Sequence, residues 1–246
     1  MLNEPTIEKL RALKLDGMAN AFLEQQKDAS FSALSFDERY GLLVDAEALH
    51  RENKRMKRYL DEAKLKLRQA CVEGIDYPAR RELDKAVIRQ LATCRWVSER
   101  QNVVIPGPTG VGKTYVACAL AQQACSKGHR TLYRRASRFF DELHLARADG
   151  TYARLLKKLM KIEVLIIDDW GSSKVDDEQR RDMMEILDDR YSEASTILTS
   201  QLPVGKWHDH LADPNNADAI CERILHNAHK LVLKGPSRRK EAATEK

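Results

Sequence analysis

The chain has 246 residues, a net charge of +5 at pH 7, and 32% charged but only 6% aromatic residues. This length accommodates one medium α/β domain with a smaller appendage, and the composition favours a helix-rich assembling protein over an enzyme with a deep pocket. No apolar run approaches the ~18 residues of a transmembrane helix, the first residues lack the apolar centre of a signal peptide, and the five cysteines form no C-x-x-C pair. We therefore expect a cytoplasmic protein with no membrane partner, no disulfide and no zinc site.

Residues 1–75 have the apolar spacing of helices and are predicted to form a small all-helical domain that binds DNA or a protein partner. Apolar residues recur on both sides of Gly17, where we expect a helix break. A long helix is predicted to open after Ser35, an N-cap residue with Glu38 three positions later, as in a capping box.

Basic residues cluster in the second half of this long helix. Residues 51–68 contain eight Lys or Arg against three Asp or Glu. Clustering of this kind favours a polyanionic partner such as DNA, and the alternative is a solvated helix face that is partly neutralised by its own ion pairs. The candidate DNA-binding residues are Arg51, Lys54, Arg55, Lys57 and Arg58.

Residues 76–100 are predicted to be a linker and a lead-in helix, because Gly74 and Pro78 interrupt the helical pattern before KAVIRQLATC resumes it. Residues 101–236 then alternate strands with helices, which predicts an α/β fold with a five-stranded parallel sheet between helices. The predicted strands are 102–106, 130–136, 163–168, 195–200 and 230–234, and the predicted helices are 113–127, 137–148, 151–161, 178–191, 203–211 and 217–226. Residues 237–246 are predicted to be a basic flexible tail.

The turn after the first strand, GPTGVGKT, fits the phosphate-binding pattern G-x-x-x-x-G-K-[ST]. Its glycines let the backbone wrap a polyphosphate, and the following helix presents free N–H groups and a positive dipole end. Lys113 is predicted to reach the β- and γ-phosphates of ATP, and the Thr114 hydroxyl to bind Mg²⁺. The alternative is an ordinary glycine turn before a core helix. The predicted nucleotide-binding residues are Gly107, Pro108, Thr109, Gly110, Val111, Gly112, Lys113 and Thr114.

Two carboxylates follow the apolar run of the third predicted strand, in KIEVLIIDDWG. Ligands of open α/β sheets bind at the carboxyl ends of strands, so Asp168 is predicted to hold Mg²⁺ and Asp169 to polarise the attacking water. The alternative is a strand that ends in a solvated acidic turn. Many hydrolysing P-loop ATPases carry Glu at the second position, and Asp is one methylene shorter. Slow hydrolysis and ATP binding without hydrolysis both stay open.

Two further residues are candidates for the chemistry. The tip of the fourth strand, around Gln201, should lie between the P-loop strand and the metal strand, where a polar side chain touches the γ-phosphate and the attacking water. Arg223 is the candidate for an arginine that completes the site of a neighbouring subunit. The alternatives are a polar turn before Pro203 and a surface salt bridge. Trp170 and Trp207 are predicted to pack in the core.

Several strings together resemble the IstB family of insertion-sequence helper ATPases, which belongs to the AAA+ class and is similar to bacterial replicative-helicase loaders. The strings that carry the resemblance are LDKAVIRQLATCRWV, GPTGVGKT, VLIIDDWG, ILTSQLPVGKWHDHLADP and DAICERILHNAHKLVLKG. The resemblance is strong over residues 82–240 and looser over the helical N-terminus.

The resemblance implies an ATPase that uses ATP and Mg²⁺, assembles as a ring or helical filament on double-stranded DNA, and stimulates the transposase encoded beside it. It implies the roles above for Lys113, Asp168, Asp169, Gln201 and Arg223. Few residues follow the fifth strand, so we expect the helical lid domain that is usual in the class to be missing. The lid arginine that contacts the nucleotide then has no clear counterpart, and Arg238 and Arg239 are the candidates to replace it. The alternatives are a helicase loader that binds single-stranded DNA and an ATP-bound scaffold without hydrolysis. A small-molecule kinase is disfavoured because no arginine-rich lid is present.

Overall fold

The computed structural model describes residues 3–211 and 213–238, which divide into two compact units between Arg58 and Tyr59. Of the predicted flexible tail, residues 237–246, the structure describes Ser237 and Arg238, and residues 239–246 lie outside the described residues. The domain boundary proposed at residue 75 stays a prediction.

The first unit is helical. It contains α1 (Asn3–Ala12), α2 (Asp16–Lys27), a short 3-10 helix (Ala29–Ala33) and α3 (Phe36–Ala63), whose residues from Tyr59 onward belong to the second unit. The predicted capping box is confirmed at the start of α3. The Glu38 amide donates to the Ser35 hydroxyl at 3.3 Å, and the Ser35 amide donates to the Glu38 carboxylate at 2.8 Å.

The helix break predicted at Gly17 was wrong. The chain leaves α1 after Ala12, and Gly17 is the second residue of α2. The position needs glycine because α3 passes close by. A Cβ on Gly17 would lie 2.6 Å from the Ala46 carbonyl oxygen and 2.6 Å from the His50 Cβ.

After the end of α3, the second unit contains a short 3-10 helix (Ala79–Arg81), α4 (Lys85–Ala92) and a short helix α5 (Arg95–Ser98). Sequence patterning did not separate α4 from α5. The Asp84 carboxylate accepts from the Ala86 amide at 2.7 Å and caps α4. These two helices contribute apolar side chains to the core. The Trp96 indole N–H donates to the Leu91 carbonyl at 2.9 Å and so fixes the turn between α4 and α5.

A five-stranded sheet with parallel pairing throughout forms the centre of the second unit, in the order β2-β3-β4-β1-β5. The fourth strand therefore lies between the P-loop strand and the acidic strand, as the sequence predicted. The strands are β1 (Asn102–Pro106), β2 (Thr131–Arg135), β3 (Val164–Trp170), β4 (Ser195–Ser200) and β5 (Ala228–Lys230).

Helices cover both faces of this sheet. Alternate residues of β1 point to opposite faces of the sheet. Val103 and Ile105 pack against α6 in the core on one face, whereas Val104 packs in a second core on the other face. The predicted packing of Trp170 and Trp207 is confirmed, since both are buried in that opposite core with their rings 4.7 Å apart. The helices are α6 (Lys113–Ser126), α7 (Ala136–Ala148), α8 (Tyr152–Met160), α9 (Asp177–Arg190), α10 (Trp207–Leu211) and α11 (Pro214–Leu225).

The bounds predicted for the last strand were wrong: the sequence predicted a strand over 230–234, whereas β5 spans Ala228–Lys230. The chain nevertheless continues along β1: the Leu231 amide donates to the Val104 carbonyl at 2.8 Å and the Leu233 amide to the Pro106 carbonyl at 3.0 Å. This extended segment leads the chain to the P-loop. Among the described residues, no helix is both long and apolar enough to cross a membrane.

Candidate nucleotide-binding site

The loop between β1 and α6 forms the floor of the site. Gly110 and Gly112 have φ of 84° and 99°, a left-handed backbone that favours glycine. A Cβ on Gly110 would also clash with the Ser237 hydroxyl group, because the segment that follows β5 passes directly over the loop. The Arg238 amide fixes this segment by donating to the Gly110 carbonyl at 3.0 Å.

Lys113, the first residue of α6, has its ammonium group inside the loop. The group donates to the Gly107 carbonyl at 2.7 Å and to the Pro108 carbonyl at 2.8 Å, and only 8% of the residue is exposed. A buried ammonium held by neutral carbonyls of a glycine-rich loop is a ready partner for a phosphate, which brings the opposite charge.

Asp168 is 1% exposed at the carboxyl end of β3 and accepts three hydroxyl hydrogen bonds. The donors are Thr114 at 2.9 Å, Thr199 at 2.7 Å and Tyr133 at 2.6 Å. Burial raises the pKa of Tyr133 and the Asp168 carboxylate raises it further, so the phenol keeps its proton and donates. The Lys66 ammonium lies 3.9 Å from the same carboxylate.

The donor set fits a magnesium ion. Mg²⁺ binds proteins through one or two carboxylates and completes its shell with phosphate oxygens and water. Asp168 and the Thr114 hydroxyl lie together beside the phosphate-binding loop and supply this chemistry.

Asp169 has a left-handed backbone with φ of 64°, and the pairing of β3 with β4 shifts register between Ile167 and Trp170. Asp tolerates this conformation better than most residues. The Asp169 amide donates to the Thr199 hydroxyl at 2.9 Å, which stabilises the turn. The turn aims the Asp169 side chain into the cavity next to Asp168.

Both carboxylate oxygens of Asp169 accept hydrogen bonds. Gln201 donates to Oδ1 at 2.8 Å and Arg135 donates to Oδ2 at 2.8 Å. Burial raises the pKa of Asp169, but these two donors and the nearby Lys113 outweigh it, so the net pKa is lowered and the group is a carboxylate.

Gln201 joins Asp169 to the P-loop. Its amide oxygen accepts from the Thr109 hydroxyl at 2.7 Å while its amide nitrogen donates to Asp169. The structure thus places this predicted residue between the loop and the acidic strand.

These groups line one cavity of about 660 Å³, within the range of small-molecule sites. Sequence reasoning missed Arg135, which lines this cavity and comes from the end of β2, the neighbour of β3. It also missed Tyr133, which comes from the same strand and donates to Asp168. Thr199, at the end of β4, and Arg238, on the segment after β5, line the cavity as well. A polar or charged residue at each strand end was the available signal.

Arg223 lies outside the nucleotide cavity of its own chain. Its guanidinium pairs with Asp188 and donates to the Ala219 carbonyl at 3.0 Å. Its carbonyl accepts from the Asn102 side chain at 3.1 Å at the start of β1, the opposite end of that strand from the P-loop. A role of Arg223 in ATP chemistry therefore requires the site of another subunit.

The candidate DNA-binding residues lie on α3 with exposed side chains. Arg51 is paired with Glu47 at 2.6 Å, so part of the basic stretch is neutralised within its own helix, as the alternative interpretation expects.

Four features together define a P-loop domain of the AAA+ class. They are the phosphate-binding loop after β1, the acid at the end of β3, the polar tip of β4 between them, and the strand order β2-β3-β4-β1-β5. The model of the family described as IstB-like ATP binding protein matches residues 8–246. The chain belongs to this family.

Relatives from insertion sequences cover nearly the whole chain. An insertion sequence ATP-binding protein of Sinorhizobium fredii, y4pL, is 44% identical over 240 residues, which are 98% of each chain. The ATP-binding protein of insertion sequence IS1162 from Pseudomonas fluorescens is 46% identical over 203 residues, 82% of this chain and 88% of its own.

Solved structures share the fold at low identity. The DnaC helicase loader aligns with a TM-score of 0.56 and 21% identity, over 72% of this chain and 99% of its own. DnaI aligns with a TM-score of 0.58 and 23% identity, over 72% of this chain and 94% of its own. These likenesses establish the α/β core.

Proposed function

We propose that the protein is an ATP-dependent, DNA-binding helper of DNA transposition. It assembles on double-stranded DNA, selects or remodels the target, and stimulates the transposase of its own insertion sequence; ATP hydrolysis drives disassembly. The observation that supports this most is the similarity to insertion-sequence ATP-binding proteins over nearly the whole chain. The cytoplasm is the corresponding location.

ATP binding follows from the loop. Lys113 exchanges the carbonyls of Gly107 and Pro108 for β- and γ-phosphate oxygens, which gives its ammonium charged partners. Asp168 and Thr114 would hold Mg²⁺, which would supply positive charge to neutralise the phosphates. Tyr133 and Thr199 keep the Asp168 carboxylate in place through their hydroxyl groups.

Hydrolysis depends on Asp169 and Gln201. Asp169 is a carboxylate at the cavity wall and accepts a proton from an attacking water, while Gln201 orients that water and contacts the γ-phosphate. Both carboxylate oxygens of Asp169 accept hydrogen bonds, from Gln201 and from Arg135, so this arrangement is a resting one and turnover is slow.

Assembly of subunits couples ATP binding to DNA binding. One subunit offers few phosphate contacts, whereas a ring or filament sums them, so DNA affinity rises steeply with assembly and falls steeply with salt. Arg223 completes the ATP site of the neighbouring subunit and stabilises charge on the transferring phosphoryl group. The helical region up to residue 75 binds DNA or the transposase.

The first test measures fluorescence anisotropy of labelled duplex and single-stranded DNA with the full chain, with and without Mg-ATP. The expected result is cooperative, ATP-dependent binding that prefers duplex, followed by retention of the transposase in a pull-down. A preference for single strands would favour a helicase loader, and no DNA binding in either state would overturn the proposal. Cooperative binding without measurable phosphate release would leave a non-hydrolysing scaffold.

A further inference from the structure

Lys66 brings a positive charge into the nucleotide cavity from the segment that follows α3. The residue lines the cavity together with residues of the P-loop and of the strand ends. Its ammonium group lies 3.9 Å from Asp168 Oδ2, on the carboxylate that is proposed to hold Mg²⁺. The side chain of Lys66 is 43% exposed, whereas that of Asp168 is 1% exposed. A flexible cation therefore faces a buried carboxylate across the cavity wall.

The backbone that carries Lys66 is fixed against the core. Directly after α3, Lys64 adopts a left-handed backbone with φ of 52°, which ends the helix. Leu65 is buried, and Leu67 packs against the same core. Burial raises the pKa of the Cys118 thiol on α6 to about 11, and hydrogen bonds from the backbone amides of Leu67 and Lys66 partly oppose this rise. Packing thus sets where the side chain of Lys66 begins, while its four-carbon stem lets the ammonium group move.

The ion pair between Lys66 and Asp168 is loose. A separation of 3.9 Å is longer than a hydrogen bond, so the attraction is electrostatic alone. Both oxygens of Asp168 already accept hydrogen bonds, from three hydroxyl groups at 2.6 to 3.1 Å. An ion pair with one partner in water contributes little to stability, so another anion in the cavity competes for Lys66.

The cavity has more positive than negative side chains. Its cations are Lys66, Lys113, Arg135 and Arg238, and its carboxylates are Asp168 and Asp169. This excess suits a polyphosphate, which brings several negative charges. A divalent cation on Asp168 would face the ammonium group of Lys66 with a charge of the same sign. Because like charges repel, Lys66 competes with that ion for Asp168 unless phosphate oxygens give Lys66 another partner.

We propose that Lys66 is a phosphate-binding residue that exchanges Asp168 for ATP. Without nucleotide, its ammonium group neutralises Asp168 and opposes the binding of a divalent cation there. With nucleotide, the ammonium group pairs with phosphate oxygens and leaves Asp168 available to Mg²⁺. The exchange links ATP binding to Mg²⁺ binding, and such linkage is reciprocal. The inference rests on the ATP binding of the proposed function, and it adds a phosphate contact from outside the P-loop.

The first test measures binding of a fluorescent ATP analogue to the full chain in EDTA, where no Mg²⁺ contributes. Arg68→Ala is the matched control for Lys66→Ala, because it removes one positive charge from the same segment at an exposed residue that does not line the cavity. We expect Lys66→Ala to lose about tenfold in affinity, the size of one hydrogen bond to a charged group, and Arg68→Ala to bind as the parent chain does. Lys66→Arg keeps the charge and should stay within about threefold of the parent chain.

The second test measures binding of Mn²⁺, in place of Mg²⁺, to the full chain without nucleotide. The electron paramagnetic resonance signal of the free ion gives the affinity. Lys66→Ala removes the competitor, so we expect it to bind Mn²⁺ about threefold more tightly than the parent chain, a size limited by the exposure of Lys66. Arg68→Ala should again match the parent chain. The two expected shifts have opposite signs, whereas a loss of folding would weaken both kinds of binding.

The outcomes separate the two proposals. If the parent chain binds no ATP analogue with or without Mg²⁺, the proposed function fails and the proposal for Lys66 falls with it. If the parent chain binds the analogue and Lys66→Ala matches Arg68→Ala in both tests, the proposal for Lys66 is overturned while the proposed function stands. If Lys66→Ala loses nucleotide affinity but binds Mn²⁺ as the parent chain does, Lys66 does not compete for Asp168 and the exchange is overturned.

Discussion

The Thr199 hydroxyl donates to Asp168 Oδ1 at 2.7 Å and accepts the amide proton of Asp169 at 2.9 Å. One side chain on β4 therefore positions both acidic residues at the end of β3. It orients the carboxylate that is proposed to hold Mg²⁺ and stabilises the left-handed backbone that aims the second acid.

Replacing Thr199 with Val keeps the shape of the side chain and removes the hydroxyl group. We expect ATP turnover to fall about tenfold or more, because a buried carboxylate loses a donor and the Asp169 turn loses its acceptor. The Mg²⁺ concentration for half-maximal turnover should also rise. Thr199→Ser restores the hydroxyl and serves as the matched control; equal turnover in the Val and Ser variants would contradict the positioning role.

Lys113→Ala tests the assignment of the P-loop. The ammonium group is the buried cation of the loop, so its loss should abolish binding of a fluorescent ATP analogue and assembly that depends on ATP. Sedimentation velocity with and without Mg-ATP measures assembly. Normal ATP-dependent assembly of this variant would remove Lys113 from the site.

Asp169→Ala separates ATP binding from hydrolysis. The variant keeps Lys113, Thr114 and Asp168, so it should bind ATP and assemble on DNA, while turnover falls by about 10²-fold because the general base is gone. Phosphate release under single-turnover conditions measures the chemical step. Unchanged turnover would show that Asp169 takes no part in it.

The P-loop and the acidic pair could be predicted because each is a local pattern with its own chemistry, and strand alternation gave the parallel sheet. Tyr133 and Arg135 could not be predicted, because their proximity to the acids comes from the pairing of β2 with β3, which no local pattern encodes.

The boundary of β5 was missed for a related reason. Leu231 and Leu233 alternate like strand residues and donate to β1, yet the regular pairing with β1 ends at Lys230. Gly17 resembled a helix break because the close approach of α3, which makes glycine necessary there, depends on tertiary packing.

Charge reversal of the basic stretch on α3 tests the candidate for DNA contact. With Lys54, Arg55, Lys57 and Arg58 all changed to Glu, duplex affinity should fall and the salt slope should decrease, because each lost phosphate contact removes about 0.9 from it. ATP binding should not change, since none of these residues lines the nucleotide cavity. Full DNA affinity in this variant would identify the stretch as a solvated helix face.

Two glycines of the first unit give opposite predictions for the same substitution. Gly17→Ala places a methyl group 2.6 Å from the Ala46 carbonyl oxygen, so we expect the free energy of unfolding to fall by about 1–3 kcal/mol. Gly41 lies inside α3, and a Cβ added there would meet no atom within 4 Å, so Gly41→Ala should raise the free energy of unfolding by about 0.5–1 kcal/mol through helix propensity. Urea unfolding monitored by circular dichroism measures both. A Gly17→Ala variant as stable as Gly41→Ala would contradict the close packing of α2 against α3.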